Sequence, residues 1–203
     1  MDVDAPFRCL FCRLQNPSRQ PLHPVDYDCT LHETAHFLVT PAIGALTVGH
    51  VLIVSRQHTP GLAYLSPEAL DEYAEVVRVV ASHSGGGRLL QAEHGGSHDH
   101  PGGGCISHTH VNCIPGLPPM LAIFEGHLTR LDVPSFPSSL LALRKPYILL
   151  REGETTSVYA ATNVPSQLIR RRICEAIDRQ DWDWAVHENL EIVQETIRLW
   201  ERQ

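Results

Sequence analysis

The sequence predicts an α+β fold in which helices pack on a central antiparallel sheet. The first reason is the β-branched run at 50–55, which follows an alternating segment at 33–40 across a short turn, a pattern typical of an antiparallel hairpin. The second is a helical repeat of apolar residues after Ser66. The third is a pair of apolar segments around a Glu-Gly-Glu turn at 152–154. With 203 residues and 43% hydrophobic content, the chain is long enough to bury a core.

The elements follow in order from the first hairpin. Ser66 is suited to cap a helix, because Pro67 fits its first turn and the Ser-Gly-Gly-Gly segment at 84–87 ends it. We expect the helix to pack on the sheet. Residues 88–93 form a predicted strand, which leads into a polar loop rich in glycine and histidine at 94–104.

The rest of the chain contains an extended segment, a strand pair and two helices. Residues 120–145 are expected to form short strands and loops. The predicted bounds are 107–115 for the extended segment, 146–151 and 157–160 for the strands, a helix that begins at 165–166, and a last helix at about 187–200. We divide the chain into a domain at 1–145 and a C-terminal extension at 146–203, a β-hairpin and helices packed on that domain.

Composition restricts the classes of function. The net charge is -7 and no dense run of Lys or Arg is present, which disfavours nucleic acid as a partner. No apolar run approaches the roughly 20 residues that span a membrane, and the acidic N-terminus lacks a signal-peptide pattern. We therefore expect a cytoplasmic protein with no membrane contact, whose six cysteines are mostly reduced.

The first chemical motif is Cys9-Leu10-Phe11-Cys12, whose spacing is that of a zinc knuckle. A redox pair would need a strand before it and a helix after it, but only eight residues precede it and Pro17 follows soon after. Zinc is the favoured interpretation. A redox dithiol and a plain buried pair remain the alternatives.

The central motif is the segment from His108 to Pro115. In an extended segment, His108, His110 and Asn112 share one face. The glycines at 102–104 would allow backbone amides to approach an anion just upstream. Together these features suggest a phosphate-handling site. The alternatives are ordinary histidines of a sheet and a metal-binding pair.

These residues resemble the histidine triad (HIT) superfamily, whose motif alternates histidines with apolar residues, although Asn112 replaces the third histidine here. The resemblance extends to about residue 200 and is similar to a longer subgroup of the superfamily. It rests on Cys9 to Cys12, Gly49-His50 to His58, Glu93-His94-Gly95, Gly104-Cys105 before His108, Pro165 to Arg171, and Trp182-Asp183-Trp184.

The resemblance implies a structural zinc ion, a HIT-like fold and a nucleotide substrate. By similarity to zinc-containing members, the metal ligands would be Cys9, Cys12, His58 and His108, a plausible closed tetrahedral set. It would fix the segment that carries the next histidine. The alternative for His58 is that it caps a strand end at the surface. Relatives usually pair two such domains, so the resemblance also implies a homodimer.

The resemblance further implies that His110 attacks the α-phosphorus of a nucleotide and forms a covalent nucleotidyl-histidine. A backbone carbonyl on the other ring nitrogen would fix its tautomer. The expected phosphate-binding residues are Gly103, Gly104, Cys105 and Ser107.

Asn112 is a departure from the motif that affects the reaction. An amide donates a hydrogen bond but supplies no proton. The galactose-1-phosphate uridylyltransferase branch has a glutamine at this place, so the departure favours transfer or phosphorolysis slightly over hydrolysis. The rival is a non-catalytic nucleotide-binding or zinc-stabilised interaction protein. It is favoured by Asn112, by Ala42 in place of a common aspartate, and by Ser55-Arg56 in place of Pro-Lys.

Two further groups are weaker candidates. His94, His98 and His100 are interpreted as solvated loop histidines, with a second metal site or a closing loop as alternatives. Arg170 and Arg171 are candidate substrate-binding residues that would reach a distal phosphate, and ordinary surface charge is their alternative.

Overall fold

The structure is a computed structural model that describes residues 9–15, 29–85, 87–96, 106–143 and 145–202. Within these ranges it has four α-helices and eight strands. The helices are α1 (Leu10–Leu14), α2 (Pro67–His83), α3 (Leu168–Ala176) and α4 (Leu190–Glu201). The strands are β1 (His32–Glu33), β2 (Phe37–Pro41), β3 (Val51–Ser55), β4 (Leu89–Gly95), β5 (His110–Pro115), β6 (Arg130–Leu131), β7 (Tyr147–Glu152) and β8 (Thr155–Ala160).

The strands form one antiparallel sheet in the order β1-β2-β3-β5-β4-β7-β8-β6 among the described residues. This confirms the predicted α+β class. The β2–β3 hairpin and the β7–β8 hairpin were both predicted, and β7 pairs with β4 along six residues. The strand predicted at 33–40 is divided, because the Thr34 hydroxyl accepts a hydrogen bond from the Phe37 amide at 3.1 Å and closes a turn between β1 and β2.

One face of the sheet is covered by α2. The Ser66 hydroxyl accepts a hydrogen bond from the Ala69 amide at 3.2 Å, so it caps this helix as predicted. Apolar side chains of α2, including Tyr73 and Val80, pack against alternate residues of the central strands. This is the larger hydrophobic cluster, and it gives the sheet a rigid support.

The opposite face divides into two apolar regions. Residues of α3, such as Ile173, pack on Leu90, Ile114 and Leu150. Further along the same face, Phe11 of α1 packs with Val54 of β3. The side chains of His110 and Asn112 lie between these regions, where the sheet carries polar residues.

The last helix, α4, lies over the turn between β2 and β3. The Thr196 hydroxyl accepts a hydrogen bond from the Gly49 amide at 2.9 Å, and Val193 packs against Ala45. The helix therefore fixes the loop that leads into His50. Across the described ranges, no helix combines the length and the apolar composition that a membrane crossing requires.

One strand differs from its prediction in a way that affects the site. The strand predicted at 88–93 extends to Gly95, so His94 is a strand residue and not a loop residue. The extension is stabilised by pairing with β7, in which His94 is opposite Ile148 and Gly95 is opposite Tyr147. His98 and His100 lie outside the described residues.

Candidate active site and metal centre

The candidate site is built on β5, which lies between β3 and β4 in the middle of the sheet. The strand begins at His110, and Asn112 follows on the same face because side chains alternate along a strand. In the register, His110 is opposite Val54 and Asn112 is opposite both Leu52 and Ala92. Asn112 is therefore held by strands on both sides, and His110 by its pairing with β3.

The His110 ring has a defined tautomer. Its Nδ1 lies 2.7 Å from the His108 carbonyl oxygen, which accepts hydrogen bonds only, so Nδ1 carries the proton. The lone pair is then on Nε2. Burial lowers the pKa of His110, which keeps the ring neutral near pH 7. A neutral imidazole with its lone pair on Nε2 is the form that attacks phosphorus, and the expected backbone carbonyl is present.

Asn112 is oriented by a histidine that sequence reasoning gave no role. The Leu46 amide donates to His50 Nδ1 at 3.1 Å, so His50 carries its proton on Nε2. That Nε2 lies 3.1 Å from Asn112 Oδ1 and donates to it. Burial, followed by the charge of Arg170, lowers the pKa of His50 to about 3, so the ring stays neutral. The Asn112 carboxamide therefore offers its NH₂ group to the site.

The described residues contain one group of side chains arranged for a metal ion: Cys9, Cys12, His58 and His108, whose donor atoms lie within 4.8 Å of one another. These are the four predicted ligands. His58 Nδ1 lies 3.2 Å from Cys12 Sγ, and His108 Nδ1 lies 3.3 Å from Cys9 Sγ. In a tetrahedral zinc site the sulfur and nitrogen ligands are about 3.6 Å apart, so the donor set fits zinc.

The protonation states around the group also fit a metal ion. His108 Nε2 lies 2.7 Å from the Ser55 carbonyl oxygen and must donate to it, which leaves the Nδ1 lone pair directed at the sulfurs. Burial lowers the pKa of His108 to about 4. Burial and the neighbouring Cys9 raise the pKa of the Cys12 thiol to about 12, so a metal ion must displace its proton in order to bind.

Two threonines hold the segments that carry the histidine ligands. The Thr109 amide and hydroxyl both donate to the Thr59 carbonyl, at 2.7 and 3.0 Å. The Thr59 and Thr109 hydroxyls also share a hydrogen bond of 2.8 Å. Each threonine follows a ligand directly, so these bonds keep His58 beside His108. His58 therefore faces the sulfurs in this structure.

Phe11 connects the metal group to the candidate nucleophile. It lies between Cys9 and Cys12 in the chain, and its ring centroid is 5.0 Å from that of His110 and 5.7 Å from that of His108. Only 3% of Phe11 is exposed. A metal ion on the two cysteines would therefore hold an apolar ring against His110.

The predicted substrate-binding residues are placed unevenly. Ser107 is half-buried immediately before His108, whereas Gly103, Gly104 and Cys105 lie outside the described residues. Arg170 is buried and donates to the carbonyls of Gly44 and Trp182, at 2.6 and 2.9 Å. Arg171 forms an ion pair with Glu175 at 3.2 Å. Substrate binding by these residues stays a prediction.

Sequence reasoning missed the contact made by His50 and the position of His94 in a strand. The Gly-His pair immediately before β3 was recognised as part of a motif, but the partner of His50, Asn112, is 62 residues away. His94 was placed in a loop. Its alternation with Leu90 and Ala92 was the available signal for a longer strand, because all three positions share one face of β4.

Comparison with known proteins gave structural likenesses only. No protein-family model matches the chain, and no curated protein matches it. Among 28 matching chains of solved structures is a zinc-bound histidine triad family protein from Mycobacterium smegmatis, 19% identical, with 68% of this chain and 94% of that chain covered and a TM-score of 0.43.

Two further structures show a comparable level of likeness. A HIT family hydrolase from Clostridium thermocellum is 17% identical, covering 56% of this chain and 96% of that one, with a TM-score of 0.43. A hypothetical histidine triad nucleotide-binding protein from Sulfolobus tokodaii is 21% identical, covering 55% and 71%, with a TM-score of 0.41. Likenesses at this level do not assign a function, so the function of this chain must be inferred from its own side chains.

Proposed function

We propose that this protein is a HIT-type enzyme that transfers or hydrolyses a nucleotide through a covalent nucleotidyl-histidine on His110. One observation carries the proposal. The His108 carbonyl holds the His110 proton on Nδ1, so the Nε2 lone pair is available beside the Asn112 carboxamide. The nucleotide as substrate class comes from the resemblance of the motif, and the resemblance also underlies our proposal of a homodimer.

The first step joins His110 to the substrate. The Nε2 lone pair of His110 attacks the α-phosphorus, and the bond from phosphorus to the leaving group breaks. The Asn112 NH₂ group donates to a phosphoryl oxygen, where negative charge increases in the transition state. Because His50 fixes the Asn112 carbonyl oxygen, this donor is oriented before the substrate arrives. In the proposal, Gly103, Gly104, Cys105 and Ser107 hold the remaining phosphoryl oxygens.

The second step returns His110 to its starting form. Water or another O–H acceptor attacks phosphorus and loses its proton, the phosphorus–nitrogen bond breaks, and the electron pair returns to Nε2. Asn112 cannot supply or accept a proton in either step. The amide at this position favours an acceptor other than water, by its similarity to the uridylyltransferase branch.

Zinc has a structural role in the proposal. It would cross-link Cys9, Cys12, His58 and His108, and a closed set of four protein ligands leaves no position for a substrate. The steps of the proposed reaction are carried out by residues of the chain. The cross-link would hold Phe11 against His110 and fix the carbonyl of His108, to which the nucleophile donates.

The test is consumption of a panel of donors: dinucleoside polyphosphates, nucleotide sugars and nucleoside phosphoramidates. Wild type is compared with His110→Ala and with His127→Ala, a change at an exposed histidine outside the site. We expect wild type and His127→Ala to consume at least one donor, and His110→Ala to consume none. Adding phosphate or a sugar phosphate then separates transfer from hydrolysis. Equal consumption by His110→Ala, or none by wild type, would contradict the proposal.

A further inference from the structure

His94 lies beside His110 on the neighbouring strand. In the antiparallel register of β4 and β5, Ala92 is opposite Asn112. Two residues along β4 lead to His94, and the same step in the opposite direction along β5 leads to His110. Because side chains two apart share a face, both imidazoles are on the face that carries Asn112.

The His94 ring carries a polar atom with no assigned partner. Its Nε2 is shielded from solvent and has no hydrogen-bond partner within the ranges that the structure describes. On the other side of β4, His94 is opposite the apolar Ile148. A buried polar atom without a partner costs free energy, and a polar atom of a bound ligand would supply the missing hydrogen bond. Burial and the neighbouring His110 lower the pKa of His94 to about 4, consistent with this closeness.

The backbone around His94 is held firmly. Glu93 accepts a hydrogen bond from the Leu62 amide at 2.9 Å and another from the Tyr147 hydroxyl, on the opposite face of the sheet. Gly95 lies against the Tyr147 ring, and the Gly96 amide donates to the Pro60 carbonyl at 2.7 Å. His94 is therefore presented by a fixed strand, which is how a group that must meet a reacting atom is normally held.

Among the residues that the structure describes, the polar side chains of β5 and of the loop before β3 that share this face are unsuited to proton transfer. Asn112 has no titratable proton. His50 is fully buried, and both of its ring nitrogens are engaged, one by Leu46 and one by Asn112. His110 is committed to attack on phosphorus. Within the described part of the chain, His94 is the imidazole on this face that the proposed reaction leaves unused.

We propose that His94 is the proton-transfer residue of this site and does the work that Asn112 cannot do. The inference rests on the proposed function. As His110 Nε2 bonds to phosphorus, the bond to the leaving oxygen breaks and the His94 imidazolium gives that oxygen its proton. Neutral His94 then takes the proton of the incoming O–H acceptor while the phosphorus–nitrogen bond breaks. The negative phosphoryl group favours the imidazolium form while substrate is bound.

The test uses leaving groups that differ in their need for a proton. The probes are the p-nitrophenyl and phenyl esters of AMP and of UMP, and the readout is release of the phenol in a single turnover. p-Nitrophenolate is stable enough to leave without a proton, whereas the phenyl ester needs a proton donor to release phenol. We expect His94→Gln to slow release from the phenyl ester by about 100-fold, with release from the p-nitrophenyl ester close to that of wild type. His127→Gln is the matched control and should change neither rate.

A second variant separates chemistry from folding. His94→Ala leaves space for a free imidazole, and added imidazole should restore release from the phenyl ester but not alter release from the p-nitrophenyl ester. Equal losses on both esters, or no loss on either, would overturn the role of His94. If wild type releases neither phenol and forms no adduct, the proposed function itself fails, which is a different result.

Discussion

His50 Nε2, on the residue just before β3, lies 3.1 Å from Asn112 Oδ1 on β5. In this contact His50 must be the donor, because its Nδ1 lone pair already accepts a hydrogen bond from the Leu46 amide and its proton is on Nε2. The Asn112 carbonyl oxygen is thus used inside the protein, and its NH₂ group is what a substrate meets. An asparagine held in this way is a fixed donor to a phosphoryl oxygen.

The first prediction concerns this donor. Asn112→Asp keeps an acceptor for His50 Nε2 but replaces the NH₂ group with a carboxylate oxygen that repels a phosphoryl group. We expect the fold to persist and the single-turnover rate of nucleotide transfer to His110 to fall by at least about 100-fold. Stopped-flow release of p-nitrophenol from the nucleotide ester measures it. An unchanged rate would show that Asn112 does not face the substrate.

The second prediction concerns the metal. Purified protein should contain one zinc ion per chain by elemental analysis, and Cys12→Ser should lose it. Cys29→Ser, a cysteine outside the group, should keep it. If the loss of zinc costs Cys12→Ser about 3 kcal/mol of folding stability, the thermal midpoint of this variant should fall by about 10 °C in a chain of this size. Equal zinc content in the two variants would exclude the proposed ligand set.

The third prediction concerns a buried carboxyl group. Burial raises the pKa of Glu93 from 4.5 to about 7, and its two oxygens face the Leu62 amide and the Tyr147 hydroxyl. Because the folded state holds this proton more tightly, Glu93 stabilises the fold below about pH 4.5, and that contribution is lost as the pH rises to about 7. The loss corresponds to at most about 3 kcal/mol.

Glu93→Gln imitates the protonated carboxyl group and should remove this dependence. The measurement is the free energy of unfolding by urea at pH 5 and pH 8. At each pH the value for wild type is subtracted from that for the variant, which cancels the contribution of the histidines that both proteins contain. We expect Glu93→Gln to gain stability relative to wild type as the pH rises. Glu154→Gln, at a fully exposed side chain, should show no such gain. A pH-independent difference for Glu93→Gln would disprove the raised pKa.

Part of the site could be predicted because short-range spacing in the sequence marks it. The spacing of Cys9 and Cys12 favoured a zinc site, and the alternation of His108 and His110 suggested a phosphate-handling site, whichever strands pair. The full ligand set and the nucleophile were implied only by the family resemblance, and the nucleophile stays a proposal. The hairpins were also predictable from short-range patterns, since each is closed by a short turn. The antiparallel sheet follows from these hairpins.

The remaining features depend on pairings that no local pattern specifies. That β7 would pair with β4, and so extend β4 to include His94, is set by a register between residues more than 50 apart. The bond from His50 to Asn112 and the Ser55 carbonyl behind His108 also depend on distant strands. Periodicity assigns each residue to a face of its own strand, but it does not specify which residue of another strand lies beside it.

The fourth prediction tests the support beneath His94. A Cβ at Gly95 would lie 2.3 Å from Tyr147 Cζ, well inside van der Waals contact. Gly95→Ala should therefore displace the Tyr147 ring and cost about 1–3 kcal/mol of stability. At Gly87, the described structure has no heavy atom within 4 Å of an added Cβ, so Gly87→Ala is the matched control. Equal urea midpoints for the two variants would contradict the close contact.

The most direct measurement is the intact mass of the protein after brief incubation with nucleotide donors and an alkaline quench, which preserves phosphorus–nitrogen bonds. Peptide mapping then locates the adduct. We predict one nucleotide-sized mass increase, on the peptide that contains His110, and none in His110→Ala. An adduct on another residue, or one that persists in His110→Ala, would contradict the account.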